Sequence, residues 1–138
     1  MNTFRLVAVV IAGATIVLFT QFPFAATMQT RADHAAALAR VSDAYKDART
    51  KCDPLAGQAK DMCVVEAKAA EKRANAQAEA NYTGTITSKT EGQIANADAD
   101  FMIARVACDS MTGPEKVVCV KQARATNAKL VADVRAGT

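Results

Sequence analysis

The chain has 138 residues, of which 31 are alanine, and its 17 basic and 14 acidic side chains give a formal net charge of +3. Hydrophobic residues make up 51% of the chain but aromatic residues only 5%, so most of the apolar surface belongs to small side chains. This composition argues against a large aromatic-lined substrate pocket. The small, dispersed positive charge argues against a nucleic-acid-binding surface.

The N-terminal sequence predicts export. Residues 6–19 form an uncharged apolar run of 14 residues after a short positive start that includes Arg5, which is typical of a signal peptide and short for a membrane span. Cleavage after Ala26 places Phe24 three residues before the cut, where a small side chain is preferred. We therefore predict a signal peptide over residues 1–26, with its retention as a membrane anchor as the alternative.

An internal repeat follows. A shift of 56 residues superposes Cys52 on Cys108 and Cys63 on Cys119. The other matching pairs are Ala48/Ala104, Arg49/Arg105, Asp53/Asp109, Gly57/Gly113, Lys60/Lys116, Val64/Val120 and Ala67/Ala123, with conservative changes at Leu38/Ile94 and Tyr45/Phe101. The chain is therefore predicted to contain two copies of one structural unit.

The residue pattern within each unit is helical, because apolar positions recur at intervals of three and four. These positions, which we call the apolar seam, are His34, Leu38, Val41, Tyr45, Ala48, Cys52, Cys63, Ala67, Ala70 and Ala74 in the first unit and Ile94, Ala97, Phe101, Ala104, Cys108, Cys119, Ala123, Thr126 and Leu130 in the second. Turn-forming residues occupy 53–57 and 109–114, and Pro114 suits the first turn of a helix. Each unit, 27–80 and 93–138, is predicted to be an antiparallel helical hairpin.

Between the units, residues 81–92 (NYTGTITSKTEG) form the only stretch rich in Thr, Ser and Gly. This composition predicts a flexible linker. The predicted fold class is therefore all-α, with two disulfide-linked antiparallel hairpins resembling Ala-rich coiled coils. The hairpins either stay separate or fold back into a loose four-helix bundle.

The four cysteines predict disulfides, because an exported chain meets an oxidising compartment. Four cysteines allow three pairings. An antiparallel hairpin brings together seam positions on either side of its own turn, which favours Cys52 with Cys63 and Cys108 with Cys119. Crossed pairing requires the hairpins to dock in one register across the linker. The alternative to disulfides is four free thiols buried as small hydrophobic groups.

One run of the first unit carries a family resemblance. The run contains Tyr45, Cys52, Asp53, Leu55, Gly57, Ala59, Lys60, Asp61, Cys63, Glu66, Ala67, Lys68 and Ala69. It resembles the repeated signature of small Ala/Lys-rich exported proteins of proteobacteria, some of which are described as cell-envelope or TolA-like proteins. The second unit departs from this signature, with Phe101 in place of the Tyr and Val117 in place of the Asp. The resemblance implies a periplasmic protein with a disulfide-linked helical repeat, and it implies no catalytic residue.

The residues that carry most enzyme chemistry are scarce. His34 is the only histidine, and its seam position near a helix start predicts a structural or surface role. The ten residues between paired cysteines match neither a zinc site nor the Cys-x2-Cys of thiol oxidoreductases. We therefore predict no enzyme activity, no catalytic, cofactor-binding or metal-ligating residue, and no cofactor.

The leading functional hypothesis is a non-enzymatic periplasmic or cell-envelope protein that acts through helix-mediated contacts. Its predicted partner is a protein or envelope component, including a second copy of the chain, and not nucleic acid or a small-molecule substrate. A membrane contact is predicted only if residues 1–26 are retained. Two alternatives remain open: a redox-responsive protein whose disulfides open under stress, and a membrane-anchored helical spacer.

Overall fold

The computed structural model describes residues 29–137, which form four antiparallel α-helices and contain no strand. The helices are α1 (Arg31–Lys51), α2 (Gly57–Thr83), α3 (Ile86–Ala107) and α4 (Gly113–Ala136), with a 3-10 turn (Cys108–Ser110) after α3. The predicted all-α fold is confirmed. The signal peptide predicted over residues 1–26 lies outside the described residues.

The turns of the two hairpins have the same backbone conformation. The helix after each turn begins at a glycine with positive φ, 53° at Gly57 and 55° at Gly113. A Cβ added at either glycine would meet no atom within 4 Å, so the backbone conformation, and not packing, requires glycine here. Pro114 lies in the first turn of α4, as the sequence predicts.

The prediction of a flexible linker over residues 81–92 is wrong. Helix α2 continues to Thr83 and α3 begins at Ile86, so only two residues separate them. Gly84 ends α2 in the left-handed conformation with φ of 67°, and Thr85 is the N-cap of α3. The Gly and Thr that suggested a loop are therefore helix-capping residues.

The remaining hydroxyls of this segment are satisfied within the helices. The Thr83 hydroxyl donates a hydrogen bond of 3.0 Å to the Glu79 carbonyl, and the Thr90 hydroxyl donates one of 2.9 Å to the Ile86 carbonyl. Each bond reaches back one helical turn, so these threonines are compatible with a helix despite their preference for other conformations. A composition rich in Thr and Ser consequently did not produce a loop.

The helices pack in chain order, α1 on α2, α2 on α3 and α3 on α4. Apart from Cys52 and Cys108, every buried residue in the described part of the chain lies on α2 or α3, whereas α1 and α4 have none. These buried residues are Val65, Ala67, Ala69, Ala78, Ala80, Ser88, Ala95, Ala97 and Ala99. The core is therefore a thin layer centred on the two inner helices, with α1 and α4 at the edges.

The two hairpins dock through α2 and α3. The Lys72 ammonium lies 3.3 Å from a carboxylate oxygen of Asp98, and the Gln58 side-chain amide donates a hydrogen bond of 2.7 Å to the Val106 carbonyl. A Cβ built on Gly92 would lie 3.9 Å from the Cβ of Ala80, so the backbones approach closely at this point. The hairpins are thus packed together and not separate.

Several positions at which α2 and α3 contact each other are apolar, whereas the matched positions on the outer helices α4 and α1 are polar. Val65, Met102 and Val106 line one cleft between α2 and α3, and Ala99 is fully buried. The repeat places Lys121, Lys46, Thr50 and Asp43, respectively, at the equivalent positions of the other unit. At these four positions, α1 and α4 therefore carry polar side chains in place of the apolar ones of α2 and α3.

Candidate functional site

A disulfide cross-links each hairpin beside its turn. Cys52 is bonded to Cys63 and Cys108 to Cys119, with Cα–Cα distances of 5.6 and 5.7 Å. This is the pairing within units that the repeat predicts. Cys52 and Cys108 are buried, whereas Cys63 and Cys119 are half-buried. Two disulfides in so small a chain fit an oxidising compartment.

The single histidine lies at the opposite end of the first hairpin, between α1 and α2. Its ring stacks on Tyr82, with the ring centroids 4.4 Å apart and the planes at 6°. Its Nε2 lies 3.2 Å from a carboxylate oxygen of Glu79, within ion-pair range of a protonated His34, although the geometry is not that of a hydrogen bond. His34 therefore contributes to the packing of α1 against α2.

A broad apolar groove of about 910 Å³ runs along the second hairpin, between α3 and α4. We call it the α3/α4 groove. Its lining residues are Ala97, Asp100, Phe101, Ala104, Ala107, Cys108, Met111, Pro114, Glu115, Val118, Cys119, Gln122, Ala123, Thr126, Asn127 and Leu130. Twelve of these 16 residues are small or apolar, and the Cys108–Cys119 disulfide forms part of the wall.

The first hairpin has a groove at the equivalent positions, but it is only about 490 Å³. The repeat relates Val41, Tyr45, Ala48, Ala67, Ala70, Glu71 and Ala74 of this groove to Ala97, Phe101, Ala104, Ala123, Thr126, Asn127 and Leu130 of the α3/α4 groove. Positions matched by the 56-residue shift thus line grooves of different size in the two hairpins.

The sequence differences make the α3/α4 groove more apolar along its length. Three charged residues of the first unit become uncharged lining residues, in the pairs Lys51/Ala107, Glu66/Gln122 and Glu71/Asn127, while Ala74 is replaced by the larger Leu130. In the opposite direction, Asp100 and Glu115 replace Ala44 and Ala59. Charge is thus confined to two carboxylates.

One of those two carboxylates is already neutralised. Asp100 pairs with the Arg73 guanidinium of α2, and the neighbouring Asp98 accepts a hydrogen bond of 3.1 Å from the Asn127 side chain. Glu115 has no ion-pair partner among the described residues. The α3/α4 groove therefore carries one unpaired negative charge.

Two other carboxylates have lowered pKa values. The hydrogen bond from the Lys116 ammonium, with the two atoms 2.8 Å apart, holds the pKa of Asp109 below its ordinary value at the second turn. At the start of α1, the hydroxyl and the backbone N–H of Thr30 donate to Asp33 and lower its pKa. Both carboxylates stabilise helix ends in their charged form.

The apolar seam of the second hairpin is partly open to solvent. Leu130, a seam residue, is 41% exposed, and Phe101 is only half-buried. The small side chains between them cover little area, which leaves the seam open to solvent. Met111 and Val118 extend the exposed apolar surface and were not singled out from the sequence. The sequence feature that identifies them is a large apolar side chain in a hairpin that is otherwise rich in alanine.

No family model, curated protein or solved structure matches the chain. Over residues 29–137, no three His, Cys, Asp or Glu side chains are grouped so that they could hold a metal ion. Nor does any helix in that range combine the length and the apolar character needed to cross a membrane.

Proposed function

We propose that this protein is a non-enzymatic component of the periplasm or cell envelope and that it acts by binding a helical partner in the α3/α4 groove. The observation that carries the proposal is the contrast between the two grooves of the repeat. The α3/α4 groove has a volume of about 910 Å³ against about 490 Å³ for the matched groove, and it has Asn127 and Leu130 where the other has Glu71 and Ala74. Exposed apolar side chains gathered along one groove and bordered by polar residues are a common feature of interaction sites.

The shape of the groove supports a helical partner. It is open along its length and bounded by two antiparallel helices, which is the geometry in which a third helix buries its apolar face. Val118, Met111 and Leu130 are the largest exposed apolar groups along it. Covering them with a helix stabilises the complex by about 25 cal/mol for each Å² of apolar surface removed from water.

The assignment to the periplasm or envelope is supported by two independent features. The sequence of residues 1–26 has the pattern of an export signal. The two disulfides are of the kind that persists outside the cytosol. The resemblance of residues 45–70 to exported proteins points to the same compartment.

Site-specific photo-crosslinking in intact cells tests the proposal. Val118 and Val117 are adjacent on α4 and are 66% and 67% exposed, but only Val118 lines the groove. A photoreactive residue at position 118 is expected to give a discrete crosslinked protein band, and the same residue at position 117 is not. Equal crosslinking at both positions, or none at position 118, contradicts the proposal.

A redox-responsive protein is the second candidate. It is favoured by the position of Cys119, which is half-buried in the wall of an open groove, so a thiolate from solution can approach its sulfur. The measurement is the reduction potential of the Cys108–Cys119 disulfide. A value below about −300 mV, as in ordinary structural disulfides, rules this candidate out.

A further inference from the structure

Three side chains on α4 share one ridge beside the α3/α4 groove. Glu115, Gln122 and Lys129 are separated by seven residues each, so they lie on the same side of the helix. Glu115 and Gln122 line the groove, and Lys129 lies next to the lining residue Leu130 at its far end. The ridge thus begins with the unpaired carboxylate of Glu115, has an uncharged amide at its midpoint and ends with the Lys129 ammonium, which pairs with Asp133 on the exposed surface of α4.

From this arrangement we infer that the partner in the groove is a second copy of the same chain, held in a two-fold symmetric dimer. The inference rests on the proposed function and names its partner. The two α4 helices lie antiparallel across the axis, with Gln122 opposite Gln122 of the partner subunit. Glu115 then faces the partner's Lys129, and Lys129 faces the partner's Glu115.

The charges select the antiparallel arrangement. In a parallel dimer each Glu115 lies next to its own copy and each Lys129 next to its own copy, and both contacts are repulsive. The antiparallel register replaces these two repulsions with two attractions. It also supplies Glu115 with the partner that it lacks within the described chain.

The same register brings groove residues of the two copies together. It places Leu130 opposite Pro114 of the partner subunit and Val118 opposite Thr126 of the partner subunit, and all of these positions line the groove. Since α4 has 24 residues and no buried residue, a face about 36 Å long is open to a second helix. Symmetric contacts of this kind are self-complementary and close after two copies.

A competing contact between copies is opposed by the polar edges of the molecule. Suppose that α4 of one copy packed on α1 of another copy as α2 packs on α3. Lys121 would then take the position that Val65 has in the α2–α3 contact. The same packing would put Asp43 where Ala99 is fully buried. A second copy therefore fits the α3/α4 groove better than it fits the edge of the helical layer.

Sedimentation equilibrium on the oxidised protein tests the dimer. The wild type is expected to show a concentration-dependent monomer–dimer equilibrium, and Val118→Glu is expected to weaken dimerisation at least tenfold. Val117→Glu is the matched control, because that position is equally exposed but does not line the groove. Helical content measured by circular dichroism verifies that both variants are folded.

Charge reversal tests the register. Glu115→Lys alone and Lys129→Glu alone are each expected to weaken the dimer about fivefold to tenfold, and the double variant is expected to recover the wild-type constant. Lys129 is also paired with Asp133 on its own helix, 2.6 Å away, so thermal unfolding of each variant separates this local contribution from dimerisation. No recovery in the double variant overturns the inferred register.

Other outcomes separate this inference from the proposed function. A monomeric wild type that still crosslinks to another protein through position 118 overturns the dimer and leaves the proposed function standing. A monomer that binds a fluorescent fatty acid, and loses that binding in Val118→Glu, overturns the dimer in favour of a small apolar ligand. A monomer with neither property removes both proposals.

Discussion

The imidazole ring of His34 stacks on the phenol ring of Tyr82, with the ring centroids 4.4 Å apart, and so joins α1 to α2 at the open end of the first hairpin. The other end of that hairpin carries the Cys52–Cys63 disulfide. In the second unit the residue equivalent to His34 is Thr90. The first hairpin is therefore held at both ends, whereas the second has no such aromatic pair at its open end.

Replacing Tyr82 by leucine is expected to lower the free energy of unfolding by about 1 kcal/mol, because the ring stack is lost while an apolar side chain remains. Tyr82→Phe is the control, since it keeps the ring and removes only the hydroxyl. Urea unfolding of the two variants measures the difference. An equal loss in the phenylalanine variant contradicts the stacking argument.

The hairpins could be predicted from the sequence because their signals are local. The cysteine spacing, Gly57 and Gly113 and the period of the apolar seam all fall within a few turns of each other. The composition of residues 81–92 predicts a loop, but the capping residues within the segment determine its structure. Gly84 followed by Thr85 is a helix stop followed by a helix start, and the two-residue connection forces α2 and α3 together.

The candidate site was harder to predict, because a groove depends on how two helices are rotated and spaced. The sequence identifies Phe101 and Leu130 as seam residues, but it does not show that they remain half-covered. Nor does it show that Asp100 is neutralised from another helix while Glu115 is not. In the sequence, the difference between the grooves is visible only when matched positions of the two units are compared.

Removing one disulfide by a pair of Cys→Ser substitutions is expected to lower the free energy of unfolding by about 3 kcal/mol, since a loop of this size is no longer closed in the unfolded chain. Amide hydrogen exchange is expected to show an asymmetry between the hairpins. Loss of Cys108–Cys119 accelerates exchange in α4 more than loss of Cys52–Cys63 does in α1, because the stack on Tyr82 still holds α1. Equal acceleration in the two helices contradicts this expectation.

The Asp109–Lys116 ion pair predicts a pH-dependent contribution to stability. Because the pKa of Asp109 is lower in the folded chain than in the unfolded one, the folded state binds fewer protons, and the stabilisation is complete above pH of about 4. It is lost as the pH falls through the lowered pKa. Asp109→Asn is thus expected to unfold at a lower temperature than the wild type at pH 7, with the gap narrowing as the pH falls below about 4.

Replacing the partner of that carboxylate provides the control for the acid experiment. Lys116→Met is expected to reproduce the pH-dependent gap, and the double variant is expected to add little to either single change. Low ionic strength is the right condition, because salt screens an exposed pair. A gap that persists unchanged to pH 2 contradicts the assignment to this ion pair.

Docking of the two hairpins is predicted to depend on the small, uncharged side chain at position 99. Ala99→Asp introduces the residue that the repeat carries at position 43, and the new carboxylate is buried without a partner. The expected cost is about 3 kcal/mol or more. The reciprocal change, Asp43→Ala, lies on an exposed part of α1 and is expected to change the free energy of unfolding by less than about 0.5 kcal/mol.

The Ala99→Asp variant is expected to lose the docking between the hairpins while each hairpin remains helical. Each hairpin keeps its own disulfide, so helical content is expected to fall less than the exchange protection of α2 and α3. Protection is measured at the amides around Ala69 and Ala95, which are buried on the two inner helices. Unchanged protection at these amides contradicts a role for position 99 in docking.

The polar residues at the two edges also determine how many units can stack. The contact between α2 and α3 joins two different helix faces. If α4 and α1 presented these same two faces, each chain could add to the next in the same way, and the chains would form an open filament. Lys121 on α4 and Asp43 on α1 oppose the addition of a further unit, because they place charges at the positions that Val65 and Ala99 occupy in the α2–α3 contact. The residues that border the helical layer therefore also disfavour open-ended association of the folded chain.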